Sequence, residues 1–252
     1  MKLEAIPDFP MIVPGDDLAA IIIEFAEEHA VPVSNGDIFV LAQKIVSKSE
    51  NRYVILEEVT PSHKAYDLAR TAQKDPRLVE LILADSREVL RAKPGVLIVQ
   101  HRLGYVMANA GIDTSNLSTE PNGKERVLLL PKDPDNTCKR LQKRFEEHFQ
   151  KQIGVIINDS VGRAWRNGSV GMALGVAGVP ALWDRVGDHD LFNRRLDVTQ
   201  IALGDQIASA AALVMGEANE GQPVVLVSGL DWEPVPTDGK SLMRPKEQDL
   251  FR

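Results

Sequence analysis

Residues 153–171 read Ile-Gly-Val-Ile-Ile-Asn-Asp-Ser-Val-Gly-Arg-Ala-Trp-Arg-Asn-Gly-Ser-Val-Gly, and the rest of the fold is interpreted from them. The β-branched run at 155–157 predicts a strand buried on both faces that ends abruptly at 158–160. Asp159 and Ser160 are followed by Arg163 and Arg166. Oxygen ligands suit hard cations, and guanidinium forks suit phosphate oxygens. The stretch therefore favours a metal-bound phosphate, although a turn capped by Asp159 with solvated arginines explains it equally well.

Other polar groups follow predicted strands elsewhere in the chain. A hairpin over 96–108 leads into Asn-Ala-Gly-Ile-Asp-Thr-Ser-Asn at 109–116, where Asp113 is a candidate cation ligand and Asn116 its hydrogen-bonding partner. An Asx-turn is an equally good interpretation of that segment. Lys44 and Lys48 follow the apolar run 38–42, and a solvated face is the default for lysine. Glu217 lies in the loop 216–223, where it completes a cation site or is simply exposed.

Length and composition limit the classes of function. The chain has 252 residues, 44% hydrophobic and 26% charged, enough for one large domain or two modest ones. A net charge of -7 argues against a nucleic-acid or membrane-surface role, because both partners are polyanionic. The single Cys138 fits a reducing compartment, and the N-terminus lacks the apolar run of a signal peptide, so we expect a cytoplasmic protein.

Familiar nucleotide and nucleophile motifs are not found. Residues 171–181 are small and apolar and include Gly-Val-Ala-Gly at 175–178, but the lysine and hydroxyl of a P-loop are missing. No Ser-His or Cys-His arrangement indicates covalent catalysis. The tail 229–252 is rich in proline and charge and is predicted to extend over the surface or across a partner subunit.

Several motifs together resemble one family. They are Pro-Gly-Asp-Asp at 14–17, Lys-Ile-Val-Ser-Lys at 44–48, the segment 109–116, Val-Ile-Ile-Asn-Asp-Ser-Val-Gly-Arg-Ala-Trp-Arg-Asn-Gly at 155–168, and Leu-Val-Met-Gly-Glu at 213–217. In this order they closely resemble the coenzyme F420-0:L-glutamate ligase family over nearly the whole chain. Five ordered motifs are much harder to obtain by chance than one.

The resemblance implies a fold and an activity. The fold would be α+β without a P-loop, a single ligase domain over 1–252 in two intertwined subdomains whose mixed and antiparallel sheets are flanked by helices, assembled as an intertwined homodimer. The activity would be GTP-dependent formation of an amide between coenzyme F420-0 and L-glutamate through an acyl phosphate, with further γ-linked glutamates possible. Some relatives carry a second, reductase domain; because this chain ends at Asp-Leu-Phe-Arg, we expect that activity to be absent.

The resemblance also implies site residues. One divalent cation, Mg²⁺ or Mn²⁺, would be held by Asp113 and Asp159 and a second by Ser160 and Glu217, with K⁺ as a further candidate. Ser160 stands where threonine is frequent and keeps the hydroxyl, while Gln43 stands where serine is common. The implied contacts to GTP are Pro7, Asp8, Phe9, Pro10, Gln43, Lys44, Lys48, Asn116, Met215, Gly216, Glu217, Ala218, Asn219, Glu220, Gly221 and Gln222.

One hypothesis comes from the residues alone. Arg163 and Arg166 are interpreted as binders of the substrate phosphate or the glutamate carboxylates, and Arg163 is included with Asp113 and Asp159 among the catalytic candidates. The alternatives to a ligase are a metal-dependent phosphohydrolase on the same scaffold and a non-catalytic F420-binding protein.

Overall fold

The computed structural model describes residues 1–117, 123–232 and 237–251. The helices in these ranges are α1 Leu18–Glu28, α2 Gln43–Ser49, α3 His63–Ala72, α4 Pro76–Ala84, α5 Pro134–Phe149 and α6 Leu203–Met215. The strands are β1 Lys2–Ala5, β2 Asp37–Ala42, β3 Tyr53–Ile55, β4 Ser86–Lys93, β5 Val96–His101, β6 Val106–Ala108, β7 Arg126–Leu128, β8 Ile153–Arg163, β9 Arg166–Ala177, β10 Trp183–Asp184, β11 Gln200–Ile201 and β12 Val224–Ser228.

A five-stranded mixed sheet in the order β1-β12-β2-β8-β9 forms the centre of the fold. β2 and β8 are parallel, and the other neighbouring pairs are antiparallel. Successive side chains on a strand point to opposite faces. Phe39 therefore packs with α1 and α5 on one face, while Ile38 and Val40 pack with α6 on the other. The continuous apolar sequence of β2 follows from burial on both sides.

Helix-capping residues set the helix boundaries on the sheet. The Asp17 carboxylate accepts the backbone N–H of Ala20 at the start of α1, and Asp133 accepts that of Asn136 at the start of α5. Pro134 occupies the first turn of α5, where a missing N–H costs nothing. α5 therefore begins at Pro134 and ends at Phe149, with Gln150 in the left-handed conformation.

A second, smaller core lies beside the central sheet. The antiparallel strands β4, β5 and β6 form a three-stranded sheet against which α3 and α4 pack, burying Val79, Ile82, Leu97 and Val99. The two-stranded pairs β3–β7 and β10–β11 complete the strand pairing among the described residues. The α+β class with mixed and antiparallel sheets is confirmed, while the division of the chain into two subdomains stays a prediction.

Local expectations are wrong at two points. Polar residues 158–160 do not end the central strand, because β8 continues to Arg163 and pairs with β9 in a long hairpin. The sequence does not predict β4, since half of its residues are exposed and it carries charges rather than an apolar alternation. Lys44 and Lys48 lie on α2, which begins directly after β2.

The C-terminal segment is partly packed. Leu242 and Met243 contact the two central cores, and the Asp135 carboxylate accepts the backbone N–H of Gly239 at 2.8 Å. Positions 233–236 and 252 of the predicted tail lie outside the described residues. In the described ranges, no helix combines the length and the apolar character that crossing a bilayer would need.

Candidate active site

The candidate site lies at the carboxyl ends of the two parallel strands. The register of β2 and β8 places Ala42 opposite Asn158, so α2 starts beside residues 158–160. The loop 216–223, between α6 and β12, reaches the same edge because the Ala42 backbone N–H donates to the Pro223 carbonyl. Distant parts of the sequence therefore meet at one edge of the sheet.

A cleft of about 720 Å³ opens at this edge. It brings together most of the residues implied by the resemblance. Its lining includes Phe9, Pro10, Gln43, Lys44, Lys48, Asp113, Asn116, Asp159, Ser160, Met215, Gly216, Glu217, Ala218, Asn219, Glu220, Gly221 and Gln222.

Asp113 reaches the cleft through a strained turn. Asn109, Ala110 and Gly111, which come before Ile112 and Asp113, all have positive φ, at 51°, 54° and 66°. A Cβ on Gly111 would lie 2.9 Å from the Leu130 side chain, which would have to move, so glycine is favoured here. After the turn, Asp113 exchanges two backbone hydrogen bonds with Leu128, which fixes its main chain.

The Asp113 carboxylate is held by two residues of α2. The Gln43 amide donates to Oδ2 at 2.5 Å, and the Lys44 ammonium lies 3.4 Å from Oδ1. Burial raises the pKa of Asp113, and Lys44 and Gln43 oppose that shift. Positive charge stabilises the charged form of a buried carboxylate, so Asp113 is suited to bind a cationic ligand.

Strand alternation separates the predicted cation ligands into two pairs. Asp159 and Ser160 are consecutive on β8 and so point to opposite faces. The Ser160 hydroxyl donates to Glu217 Oε1 at 2.8 Å on one side. Burial and the charges of Asp113 and Glu217 raise the pKa of Asp159 to about 7, despite opposing contributions from the Ser160 backbone N–H and Lys44.

A positive group faces these carboxylates. Lys48 is almost fully buried at the cleft, and burial together with the charges of Lys44 and Arg126 lowers its pKa. Arg126 itself stacks 3.9 Å from the centre of the Tyr53 ring. An anion entering the cleft would lessen this repulsion between cations.

The loop 216–222 is tied across the cleft. The Asn116 amide donates to the Ala218 carbonyl at 3.1 Å, and the Glu220 carboxylate accepts the Ala218 backbone N–H at 2.8 Å. Gly216 has φ of 73°, and a Cβ there would strike the Glu220 carboxylate at 2.1–2.5 Å. These contacts explain why a glycine ends α6 and precedes Glu217.

Not every predicted site residue lines the cleft. Pro7 and Asp8 lie outside the lining, although Phe9 and Pro10 of the same loop belong to it. Arg163 and Arg166 face each other at the exposed tip of the β8–β9 hairpin. Arg163 lies four residues beyond Asp159, roughly 13 Å along an extended strand. Its catalytic role stays a prediction.

A somewhat larger cavity of about 810 Å³ lies at the opposite end of the sheet, near Gly36, Gln152 and Trp232. It contains none of the predicted site residues. The smaller cleft is the better candidate, because it collects carboxylates with raised pKa values beside lysines, the usual sign of a functional site.

The described ranges also limit the metal chemistry. No three His, Cys, Asp or Glu side chains within them are grouped so as to hold one metal ion. The two separate pairs, Asp113 with Asp159 and Ser160 with Glu217, offer only oxygen donors. Such sparse oxygen sites suit Mg²⁺-like cations, which keep waters and substrate oxygens as ligands.

Sequence reasoning missed other residues at the cleft. Met11, Ile12, Ser115, Leu117 and Asn158 also line it. Their types are ordinary for core and turn positions, so no local signal singles them out. Asn158 is almost fully buried, and its Oδ1 has no hydrogen-bond partner among the described residues.

Comparison with known proteins agrees with this geometry. The sequence pattern of the F420-0:Gamma-glutamyl ligase family matches residues 8–229. The coenzyme F420:L-glutamate ligase of Methanothermobacter thermautotrophicus is 41% identical over 254 residues, covering 100% of this chain and 99% of that protein. The protein of the same name from Methanopyrus kandleri is 43% identical over 256 residues, covering 100% and 98%. The chain therefore belongs to the F420-0:gamma-glutamyl ligase family.

Proposed function

We propose that this protein is a GTP-dependent ligase of coenzyme F420 biosynthesis, joining the carboxylate of F420-0 to the amine of L-glutamate. The relatives named coenzyme F420:L-glutamate ligase support the substrates and the amide bond. One structural observation supports placing this activity at the cleft. Residues from four of the five sequence motifs, including Lys44, Asp113, Asp159 and Glu217, line one cavity of the size that holds a nucleotide.

The proposed reaction needs an activated carboxyl group. A carboxylate oxygen of F420-0 attacks the γ-phosphorus of GTP, and GDP leaves, which gives an acyl phosphate. The uncharged glutamate amine then attacks the acyl carbon, inorganic phosphate leaves, and the nitrogen loses a proton. No protein nucleophile is required, so positioning and electrostatics are the main contributions of the protein.

The residues of the cleft have matching roles. Lys44 and Lys48 are placed to balance phosphate charge. Burial and the charges of Lys44 and Arg126 lower the pKa of Lys48, while Asp113 opposes that shift, so an anionic phosphate would favour its charged form. The loop 216–222 supplies backbone groups around the nucleotide. The walls formed by Phe9, Pro10 and Ile12 limit access of water, which would otherwise hydrolyse an acyl phosphate.

Divalent cations fit the acidic side of the cleft. Asp113 and Asp159 would hold one Mg²⁺ or Mn²⁺, and Ser160 with Glu217 a second. The fit rests on the raised pKa of Asp159 beside Asp113 and on the purely oxygen donor set. When bound, such ions neutralise charge on the phosphoryl group. K⁺ stays a further candidate.

A homodimer and a cytoplasmic location are part of the proposal. Several large apolar side chains in the segment 185–199, between β10 and β11, are almost fully exposed, including Leu191 at 100% and Val198 at 87%. Exposed apolar groups of this size are typical of association surfaces. Light scattering on the purified chain would test the dimer, and a monomeric mass would contradict it.

Mass spectrometry of the reaction products tests the proposed activity. The protein is incubated with GTP, Mg²⁺ and L-glutamate, with and without F420-0. We expect F420-0 to gain one or more glutamyl units with release of GDP and phosphate. Asp159→Asn should abolish the product, while Asp67→Asn on the exposed side of α3 should not.

Two other results would contradict the ligase. Rapid GTP hydrolysis that does not need F420-0 and gives no amide would indicate a phosphohydrolase. Tight binding of F420-0 without GTP turnover, unaffected by Asp159→Asn, would indicate a non-catalytic binding protein. The mass of the product also counts the glutamates added.

A further inference from the structure

Helix α2 carries two pairs of polar residues spaced four apart, and the two pairs lie in different surroundings. Lys44 and Lys48 present charges to the cleft, whereas Gln43 and Ser47 are buried beside them, at 3% and 0% exposure. Residues four apart are neighbours on one side of a helix. A buried polar pair at this spacing requires hydrogen-bond partners.

The Gln43 amide uses both of its ends. Ser47 Oγ donates to Gln43 Oε1 at 3.0 Å, and Gln43 Nε2 donates to Asp113 Oδ2 at 2.5 Å. A carboxylate only accepts hydrogen bonds, so the amide must turn its NH₂ group towards Asp113. The hydroxyl of Ser47 stabilises that orientation by donating to the other end.

We propose that Ser47 and Gln43 are positioning residues for Asp113, forming a relay that holds Oδ2, so that Oδ1, which lies 3.4 Å from the Lys44 ammonium, can also be shared with a cation in the cleft. This assigns Gln43 to the carboxylate rather than to the nucleotide, and it assigns a role to Ser47, which does not line the cleft. The inference rests on the proposed function for its cation. Partners behind a metal ligand fix its orientation, and their loss typically costs about 10–100-fold in affinity.

The test measures Mn²⁺ affinity of the full chain by electron paramagnetic resonance of the free ion. It uses a Glu217→Gln background, which removes a ligand of the other proposed cation. We expect Ser47→Ala and Gln43→Leu each to weaken binding about 10-fold. Ser47→Thr, which keeps the hydroxyl, should stay within about 2-fold of the parent.

The double variant distinguishes a relay from two separate effects. If Ser47 acts through Gln43, Ser47→Ala has no further effect once Gln43→Leu is present. Ser49→Ala is the matched control, because its hydroxyl lies on the same helix and donates only to the Val46 carbonyl. Unchanged Mn²⁺ affinity in Ser47→Ala, or additive losses in the double variant, would overturn the relay.

Failure of the proposed cation site has a different signature. If Asp113→Asn binds Mn²⁺ as tightly as its parent, the metal part of the proposed function is wrong, and urea unfolding decides the relay. The relay then predicts that Ser47→Ala lowers the urea midpoint in the wild type but not in Gln43→Leu. Equal lowering in both backgrounds would overturn it.

Discussion

The molecule contains two groups of charges, one at the cleft and one at the junction between the central and the smaller core, and their charges are balanced differently. At the cleft, burial raises the pKa of both Asp113 and Asp159, and the Asp113 charge adds to the shift of Asp159. At the junction between the central and the smaller core, Asp85 lies between Arg102 at 2.9 Å and Arg52 at 3.8 Å. At the junction one carboxylate lies between two cations, whereas at the cleft two carboxylates lie close together and are available to a positively charged ligand.

The junction contains a histidine that stays neutral. His101 is fully buried, and its Nδ1 accepts the Leu103 backbone N–H at 3.1 Å. Its Nε2 lies 3.9 Å from Asp85 Oδ2, and neither atom has a hydrogen-bond partner among the described residues. Burial lowers the pKa of His101 to about 4, with Arg102, Arg52 and Arg87 adding to the shift and Asp85 opposing it.

The largest expected effect is at the cleft. Asp159→Asn should lower ligase turnover by at least about 100-fold, because it removes a charge aimed at the reacting groups. The melting temperature should not fall, since the substitution also removes repulsion with Asp113. Product formation and thermal unfolding, measured on the same preparation, check both parts. An Asp159→Asn variant that is strongly destabilised but still active would contradict both expectations.

Asp85→Asn should show the opposite behaviour. Losing the carboxylate leaves Arg52 and Arg102 without their partner, which we expect to cost about 3 kcal/mol of unfolding free energy. The residual folded protein should keep its turnover number, as the junction lies outside the cleft. Urea unfolding measures the loss, and activity is read at a temperature where the variant is folded.

The dependence of stability on pH sharpens the comparison further. The folded pKa of His101, about 4, lies below its ordinary value, so between about pH 6.5 and 4 the unfolded chain binds a proton that the folded chain does not. His101 therefore makes the free energy of unfolding fall as the pH drops through this window, by up to about 3 kcal/mol. Above about pH 6.5 its contribution is fully present.

The measurement compares His101→Gln with its parent. Asp159 contributes the opposite slope, because its raised pKa makes the folded state bind the extra proton between its ordinary value and about 7. Both chains should therefore carry Asp159→Asn. The expected outcome is a flatter pH dependence in the chain with His101→Gln. Identical slopes would show that His101 does not titrate in this way.

The smallest effect concerns the turn that leads to Asp113. Gly111→Ala should cost about 1–2 kcal/mol, from its positive φ and from contact with Leu130. It should also reduce turnover, because Asp113 would shift. Gly95→Ala is the control, since Gly95 has φ of 85° but no neighbour within 4 Å of an added Cβ. Equal effects on turnover would indicate that the contact with Leu130 is unimportant.

Much of the site could be expected before any coordinates. Asp113 and Asp159 are candidates because polar residues follow predicted strands, and Glu217 because it lies in the loop 216–223. The surrounding motifs also resemble one family in order. The cleft brings all three together. The position of Arg163 is harder to predict. Nothing in the local sequence shows that β8 continues past Asp159, which places Arg163 at the tip of the β8–β9 hairpin.

The sequence by itself determined the strands with continuous apolar runs, the capped helices and the family, because these depend on local periodicity, hydrogen-bonding side chains and motif order. Only the tertiary structure decided that Gln43 holds Asp113, seventy positions away, and that Ser160 faces Glu217 rather than Asp113. Such contacts follow from strand register and from the path of a strained turn. Both depend on the packing of distant segments, and no short stretch of sequence contains that information.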